Sequence, residues 1–189
     1  MTRIGVFGGS FNPVHKGHIK LAEAGLDELN LDKVVFVPSY LTPLKKESEL
    51  LPAPLRFLMV KQAIKKYPNF SVSDYEMRKK RISYTVDTLK YFKKKFGRKA
   101  QLYFLSGADT PESLSRWKSP DKILKLCRFA IFSRPGHRLN QGGGTPPLRI
   151  TMDALPISST EIRRRLKKGQ SVRALVPVET LKPLEKYYQ

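Results

Sequence analysis

The sequence holds one cysteine, one tryptophan and three histidines in 189 residues, and 16 acidic side chains against 36 basic ones. Each scarcity removes a class of protein. A lone Cys127 excludes an internal disulfide framework and any zinc site built from several cysteines. Set in the apolar run "LCRFAIF", it is expected to be buried and inert. No apolar stretch approaches the roughly 18 residues that a membrane span requires. Met1-Thr2-Arg3 runs directly into a strand-like segment instead of a signal peptide. The expectation is a soluble, cytoplasmic protein with no membrane partner, folded as one domain over residues 1–189 with a core large enough to stand alone.

The shortage of acid leaves a net charge of +20, concentrated in "RKKR" (Arg78 to Arg81), "KKK" (Lys93 to Lys95) and "RRRLKK" (Arg163 to Lys168). Polyanions suit such a surface, either nucleic acid or phosphorylated small molecules. By charge alone, a solvated lysine-rich face ranks first. No zinc finger, RNP-type aromatic run or other nucleic-acid-binding signature accompanies the charge, so nucleic acid is not the expected partner.

What is abundant is alternation. Apolar strand-like runs begin at Ile4 ("IGVF"), Lys33 ("KVVFV"), Phe70 ("FSVS"), Leu102 ("LYFLSG"), Arg128 ("RFAIFS") and Leu148 ("LRITM"). Between them, Ile19, Ala22, Leu26 and Leu29 fall at helical spacing, as do Leu55, Leu58, Met59 and Ala63, and then Thr85, Leu89, Phe92 and Phe96. Nearly continuous apolar strands alternating with amphipathic helices predict an α/β, Rossmann-like fold, a mostly parallel sheet with helices on both faces. Two proline- or glycine-rich segments, Pro38 to Pro54 and Arg134 to Pro147, read as mobile connections after strands. Ligands of open α/β sheets bind beyond the carboxyl ends of the strands, where these loops lie.

Two of the three histidines sit in "GVFGGSFNPVHKGH", after the first strand and at the start of the first helix. Gly8 and Gly9 permit close backbone approach to a phosphate, yet a tight strand-to-helix turn explains them equally. The spacing matches neither the G-x-G-x-x-G fingerprint nor the P-loop. His15 and His18, three apart near a helix start, project to one side and can both reach an anion. A metal fares badly there, because the zinc helix motif spaces its histidines by four with a glutamate between. Either histidine alone would be read as a cap or a packed side chain.

The second unusual run is "ISSTEIRRRL", Ile157 to Leu166. Ser158 and Glu161 fit a capping box, which places Ile162 and Leu166 on the apolar side of the helix. The same helix start offers free N–H groups, the Ser159 and Thr160 hydroxyls and Arg163 one turn along, an anion site at the positive end of a dipole. One α/β chain thus carries two phosphate-seeking helix starts.

With these two runs, the sequence resembles the nucleotidyltransferases with HxGH and ISSTxIR signatures, and among them most closely the bacterial nicotinate-nucleotide adenylyltransferases. "FVPSYLTPLKK", "SDYEMRKKRISYTVDTL", "LYFLSGADTPESLSRW" and "FSRPGH" follow the family's order and spacing between the two signatures. Many members carry Asp where this chain has Asn12. The resemblance implies adenylyl transfer from ATP to nicotinate mononucleotide, with Mg²⁺ accompanying ATP. It further implies that His15, His18 and Arg163 are catalytic. Gly8, Gly9, Ser10, Phe11, Lys45, Arg134, Ser159 and Thr160 would hold ATP, and Thr85, Asp109 and Trp117 the mononucleotide. Trp117 would stack on the pyridine ring. Phosphopantetheine adenylyltransferases share the first and last signatures but lack segments like "SYTVDTL" and "GADT", so they are the nearest rival. Preference for nicotinate over nicotinamide mononucleotide is left open, and so is oligomeric state, a homo-oligomer included.

Overall fold

The computed structural model describes residues 1–43, 45–107, 114, 116–133, 147–153 and 155–189. Six strands form one sheet: β1 (Arg3–Gly9), β2 (Lys33–Pro38), β3 (Phe70–Val72), β4 (Gln101–Gly107), β5 (Arg128–Ser133) and β6 (Leu148–Thr151). Their order across the sheet is β3-β2-β1-β4-β5-β6, and every neighbouring pair is parallel. All six were legible as apolar runs. Among the described residues the helices are α1 (Lys16–Glu28), α2 (Ala53–Ala63), α3 (Tyr75–Lys79), α4 (Thr85–Phe96), α5 (Pro120–Leu126), α6 (Ser159–Lys167) and α7 (Leu181–Tyr188).

Successive strand side chains point to opposite faces, and the core divides accordingly. Phe7, Val34, Phe36, Tyr103, Leu105 and Phe132 pack with Ile19 and Ala22 of α1, Met59 and Val60 of α2, Ile162 of α6 and Leu184 of α7. On the other face Ile4, Val6, Val35, Leu102, Phe104 and Ile131 meet Val86, Leu89 and Phe92 of α4 and Ile123 of α5. Helices therefore cover both faces, as the patterning predicted. Each fully buried large apolar side chain contributes about 1.5–3 kcal/mol, which drives assembly of both layers. Cys127 is buried with them, its thiol pushed up to about 12 by burial.

One predicted stripe holds at Met59, Ala63 and half-buried Leu55 but fails at Leu58. The buried face of α2 is Arg56, Met59, Val60 and Ala63, while Leu58 is exposed. An arginine occupies an inward position, which the periodicity of apolar residues alone could not show. α4 ends at Gly97 (φ 79°), with Lys93, Lys94 and Lys95 in its last turn. There the cations face the negative end of the helix dipole, which accounts for that basic cluster as local stabilisation.

The strand order reverses between β1 and β4. Crevices open at such a switch point beyond the strand ends, and here it lies between Gly8–Gly9 and Gly107.

Candidate active site

The loop from Ser10 to Val14 leaves β1 and is gripped from three sides. Phe11 has φ 45°, a conformation that a bulky residue rarely adopts, and its side chain is buried against Phe7, Phe36 and His18. The Asn12 side chain is buried; its Oδ1 accepts from the Leu51 N–H (2.7 Å) and its Nδ2 donates to the Glu49 carbonyl (2.9 Å). A carboxylate at this position would lack the second, donated bond. Asn12 thereby ties the Pro38–Pro54 segment, expected as a mobile connection, to the β1 loop.

α6 closes the loop from above. Ser159 Oγ donates to the Pro13 carbonyl (2.9 Å) and Arg163 Nη1 to the Asn12 carbonyl (2.8 Å), while Arg163 Nη2 lies 3.4 Å from Thr160 Oγ1. The two helix starts singled out in the sequence are thus one structure. The capping box is only half formed: Ser158 Oγ accepts from the Glu161 N–H (3.1 Å), but the Glu161 carboxylate turns to Arg164 and Arg165 instead. Those two hydrogen bonds hold its pKa down to about 2.

His15 is the N-cap of α1 and His18 lies three residues on, with ring centroids 3.7 Å apart and planes inclined by 30°. The intervening Gly17 has a steric reason: a Cβ there would sit 3.1 Å from His15 Nδ1. His18 Nδ1 accepts the His15 backbone N–H (3.1 Å). That leaves Nε2 to carry the proton of the neutral ring and to act as donor. Burial brings the His15 pKa down to about 4. Burial first, then the neighbouring His15 and Lys45, holds His18 well below the ordinary range. Lys45 Nζ reaches Ser10 Oγ (3.1 Å) across the loop, and its pKa is lowered by burial and then by the Arg163 and Arg56 charges.

The low His15 pKa makes stability pH-dependent. In the unfolded chain His15 takes up a proton near 6.5, whereas the folded protein resists until about 4. The folded state binds fewer protons across that window, so stability falls as pH drops from 6.5 towards 4, by up to ~3 kcal/mol from this group. Glu76 works in the opposite sense: burial raises its pKa, so its contribution is lost as pH rises above its ordinary 4.5. Denaturant unfolding between pH 7 and pH 4.5 is expected to show a shallower acid slope in His15→Gln than in the wild type. An unchanged slope would remove His15 as its source.

Beside this basic cluster a cleft of about 490 Å³ opens at the switch point. Gly8, Thr85, Thr88, Phe104, Glu76 and Trp117 are among its walls. A Cβ on Gly8 would press on the Phe104 ring at 3.3 Å, so glycine lets the strand end lie flat against it. Trp117 stands edge-on to Phe104 and Phe129, at centroid distances of 5.7 and 6.2 Å. Thr85 begins α4, whose N-cap Tyr84 makes no side-chain capping bond, so the helix start faces the cleft uncapped by a side chain.

The family resemblance implied that His15, His18, Lys45, Arg163, Ser159, Thr160 and Gly8 to Phe11 share one site, and the structure brings them together around the β1 loop. Thr85 and Trp117 meet across the adjoining cleft. Asp109 and Arg134 lie outside the described residues. Two residues went unnoticed. Arg56, 1 % exposed, donates through Nε to the Leu51 carbonyl (2.8 Å), through Nη1 to Ser10 (2.7 Å) and Ser39 (2.6 Å), and through Nη2 to Tyr40 (2.7 Å). Burial draws its pKa down to about 10. Glu76, 7 % exposed, is the one acid of the cleft wall among the described residues. The signal for Arg56 was a single charge inside the apolar run "PLRFLMV"; Glu76 had none, one more polar residue between Asp74 and the basic run Arg78 to Arg81.

Among the described residues no group of three or more His, Cys, Asp or Glu side chains could hold a metal ion, and no helix is long and apolar enough to cross a membrane. The cluster offers cations, hydroxyls and imidazole N–H, a donor set that fits phosphate oxygens.

A six-stranded parallel sheet with phosphate-seeking helix starts at its switch point defines a Rossmann-like nucleotidyltransferase. Residues 6–165 match the cytidylyltransferase-like family. A "Probable nicotinate-nucleotide adenylyltransferase" of Thermoanaerobacter sp. strain X514 is 38% identical, with 98% of this chain and 92% of the relative aligned. One of the same name from Clostridium tetani is 34% identical, over 99% and 98%. The chain therefore belongs to the cytidylyltransferase-like family and, within it, to the nicotinate-nucleotide adenylyltransferases. In fold it is similar to the Plasmodium falciparum nicotinic acid mononucleotide adenylyltransferase complexed with NaAD, with a TM-score of 0.80 at 21% identity, covering 99% of this chain and 96% of that one.

Proposed function

We propose that the protein transfers the adenylyl group of ATP to the phosphate of nicotinate mononucleotide, giving nicotinate adenine dinucleotide and pyrophosphate for NAD synthesis. The observation that carries this reading is the continuity of two unlike half-sites. A cationic cluster at the end of β1 opens directly into a cleft with Trp117 in its wall. A phosphate oxygen of the mononucleotide attacks the α-phosphorus of ATP in line, and the bond to the β-phosphate oxygen breaks. The nucleophile has a second pKa near 6, so at neutral pH it needs no general base. Catalysis then rests on alignment and on charge stabilisation.

In this reading His15 and His18 donate to the α-phosphate and departing pyrophosphate, with Arg163, Lys45 and the Ser159 and Thr160 groups on the outer phosphates. Gly8, Gly9, Ser10 and Phe11 approach the nucleotide through backbone. Mg²⁺ enters on ATP, because it retains several waters and is held mainly by phosphates. Trp117 stacks on the pyridine ring, and the start of α4 at Thr85 receives its carboxylate. Asp109 is assigned to the mononucleotide side and Arg134 to the ATP side. A single domain, residues 1–189, acts in the cytoplasm; a homo-oligomer is compatible with this reading.

Trp117 is the sole tryptophan, so its emission reports on the cleft. Nicotinate mononucleotide is expected to quench it saturably, and phosphopantetheine to leave it unchanged. The reverse order would transfer the protein to the phosphopantetheine branch of the fold.

A further inference from the structure

Two buried ionisable side chains stand at the cleft, Glu76 in its wall and Arg56 bonded to the carbonyls of Ser10 and Ser39 that line it, and among the described residues neither forms an ion pair with an opposite side chain. Arg56 spends its N–H groups on backbone carbonyls. The Glu76 carboxyl receives the hydroxyl of Thr88, in the first turn of α4, and the neighbouring Ser83 hydroxyl favours its charged form. What joins the two charges is one peptide group. The Ser39 carbonyl accepts Arg56 Nη1 at 2.6 Å, and the N–H of the same peptide, that of Tyr40, donates to Ser83 Oγ at 3.2 Å. A cation thus faces the oxygen end of this peptide and a carboxylate-backed hydroxyl its N–H end. Hydrogen bonds in such a chain polarise one another, each strengthening the next in a low-dielectric interior.

The ends of this chain matter. Arg56 Nη1 also holds the Ser10 carbonyl in the phosphate-seeking loop, and Tyr40's carbonyl takes Nη2. Glu76 holds Thr88, one turn from Thr85 at the helix start that faces the cleft. Ser83 further anchors the Ser39–Leu41 segment through its N–H to the Leu41 carbonyl (2.8 Å), beside the parallel bridge of Leu41 with Ile82. The phosphate end and the pyridine end of the site are therefore linked through these side chains.

We propose that Glu76 is a positioning residue for adenylyl transfer: through Ser83 it fixes the Ser39–Tyr40 peptide against Arg56, and through Thr88 it fixes the start of α4, so that both substrates are held at attack distance. This rests on the two-substrate reading above. Misalignment affects the approach of the reacting groups more than the affinity for either substrate, so the loss falls on kcat. A glutamine at Glu76 keeps the shape but removes the charge and turns one acceptor oxygen into an N–H donor, so its hold on the two hydroxyls is weaker.

The test measures pyrophosphate release in wild type, Glu76→Gln, Ser83→Ala, Ser83→Thr and the Glu76→Gln/Ser83→Ala double variant. Glu76→Gln and Ser83→Ala are each expected to lower kcat by roughly 10- to 100-fold with KM for ATP within about twofold. The double variant is expected to be no worse than the weaker single, because both break one chain. Ser83→Thr, which keeps the hydroxyl, is expected to restore kcat to within a few-fold. Thermal melts accompany each variant, and if Glu76→Gln fails to fold, the Ser83 pair decides alone. Wild-type kcat in the variants, a loss confined to KM, or single losses that multiply in the double variant would overturn the proposal. A wild type inactive with nicotinate mononucleotide would instead overturn the substrate reading, and that control is run first.

Discussion

Replacing His18 with alanine is expected to lower kcat by roughly 100-fold or more while the protein still folds. The ring's Nδ1 is committed to the His15 backbone N–H, so its remaining nitrogen is a fixed donor near Lys45. Losing one donor aimed at developing negative charge typically costs about 3 kcal/mol of transition-state stabilisation. The same ring packs against Phe7 at 5.9 Å and Phe11 at 5.0 Å, so some stability is lost too. Separating the two effects requires kcat at saturating ATP together with a melting curve. A folded variant with near-normal kcat would remove His18 from the chemistry. A neutral resting histidine pair also suits adenylyl transfer, because a triphosphate arriving beside the rings reverses the electrostatic balance that burial sets and favours protonation where charge develops.

Arg56→Met is expected to be among the most destabilising single changes in the chain. Methionine fills much of the volume but leaves the Leu51, Ser10, Ser39 and Tyr40 carbonyls without the donors they now have. Each buried acceptor left without its donor costs about 1–3 kcal/mol, and with relaxation and relief of the buried charge a net loss of about 3–5 kcal/mol is expected. For a chain of this size that corresponds to a midpoint lower by roughly 6–20 °C. Arg56→Lys should rescue little, since an ammonium cannot reproduce a planar fork that spans two loops. A melting midpoint within about 2 °C of wild type would show that the four carbonyls find other donors, and that the arginine does not organise the site.

The strands were legible in the sequence because each is a compact apolar run, and the two helix starts because each is written in consecutive residues. Contacts between distant segments were not. Lys45 meets Ser10 across 35 positions and Ser159 meets Pro13 across 146, distances over which periodicity carries no information. Only the resemblance to a family had placed those residues together. Arg56 and Glu76 escaped both routes, because their partners are backbone carbonyls and small hydroxyls, which leave no complementary charge elsewhere in the chain. Arg56 also takes an inward position on α2 that an apolar stripe cannot show, while Leu58 of that stripe faces solvent. The half-formed capping box at Ser158 failed for a related reason: Arg164 and Arg165 compete for Glu161, and charge-assisted bonds outweigh a return bond to the backbone.

The cationic cluster and the Trp117 cleft are read as one site for ATP and a pyridine mononucleotide, and everything proposed for the chemistry depends on that union. Its most direct test is pyrophosphate release from Mg·ATP, with nicotinate mononucleotide, nicotinamide mononucleotide and phosphopantetheine offered in parallel. Turnover with the nicotinate form is expected to stand well above that with the other two. Release with phosphopantetheine alone, or with none of the three, would contradict it.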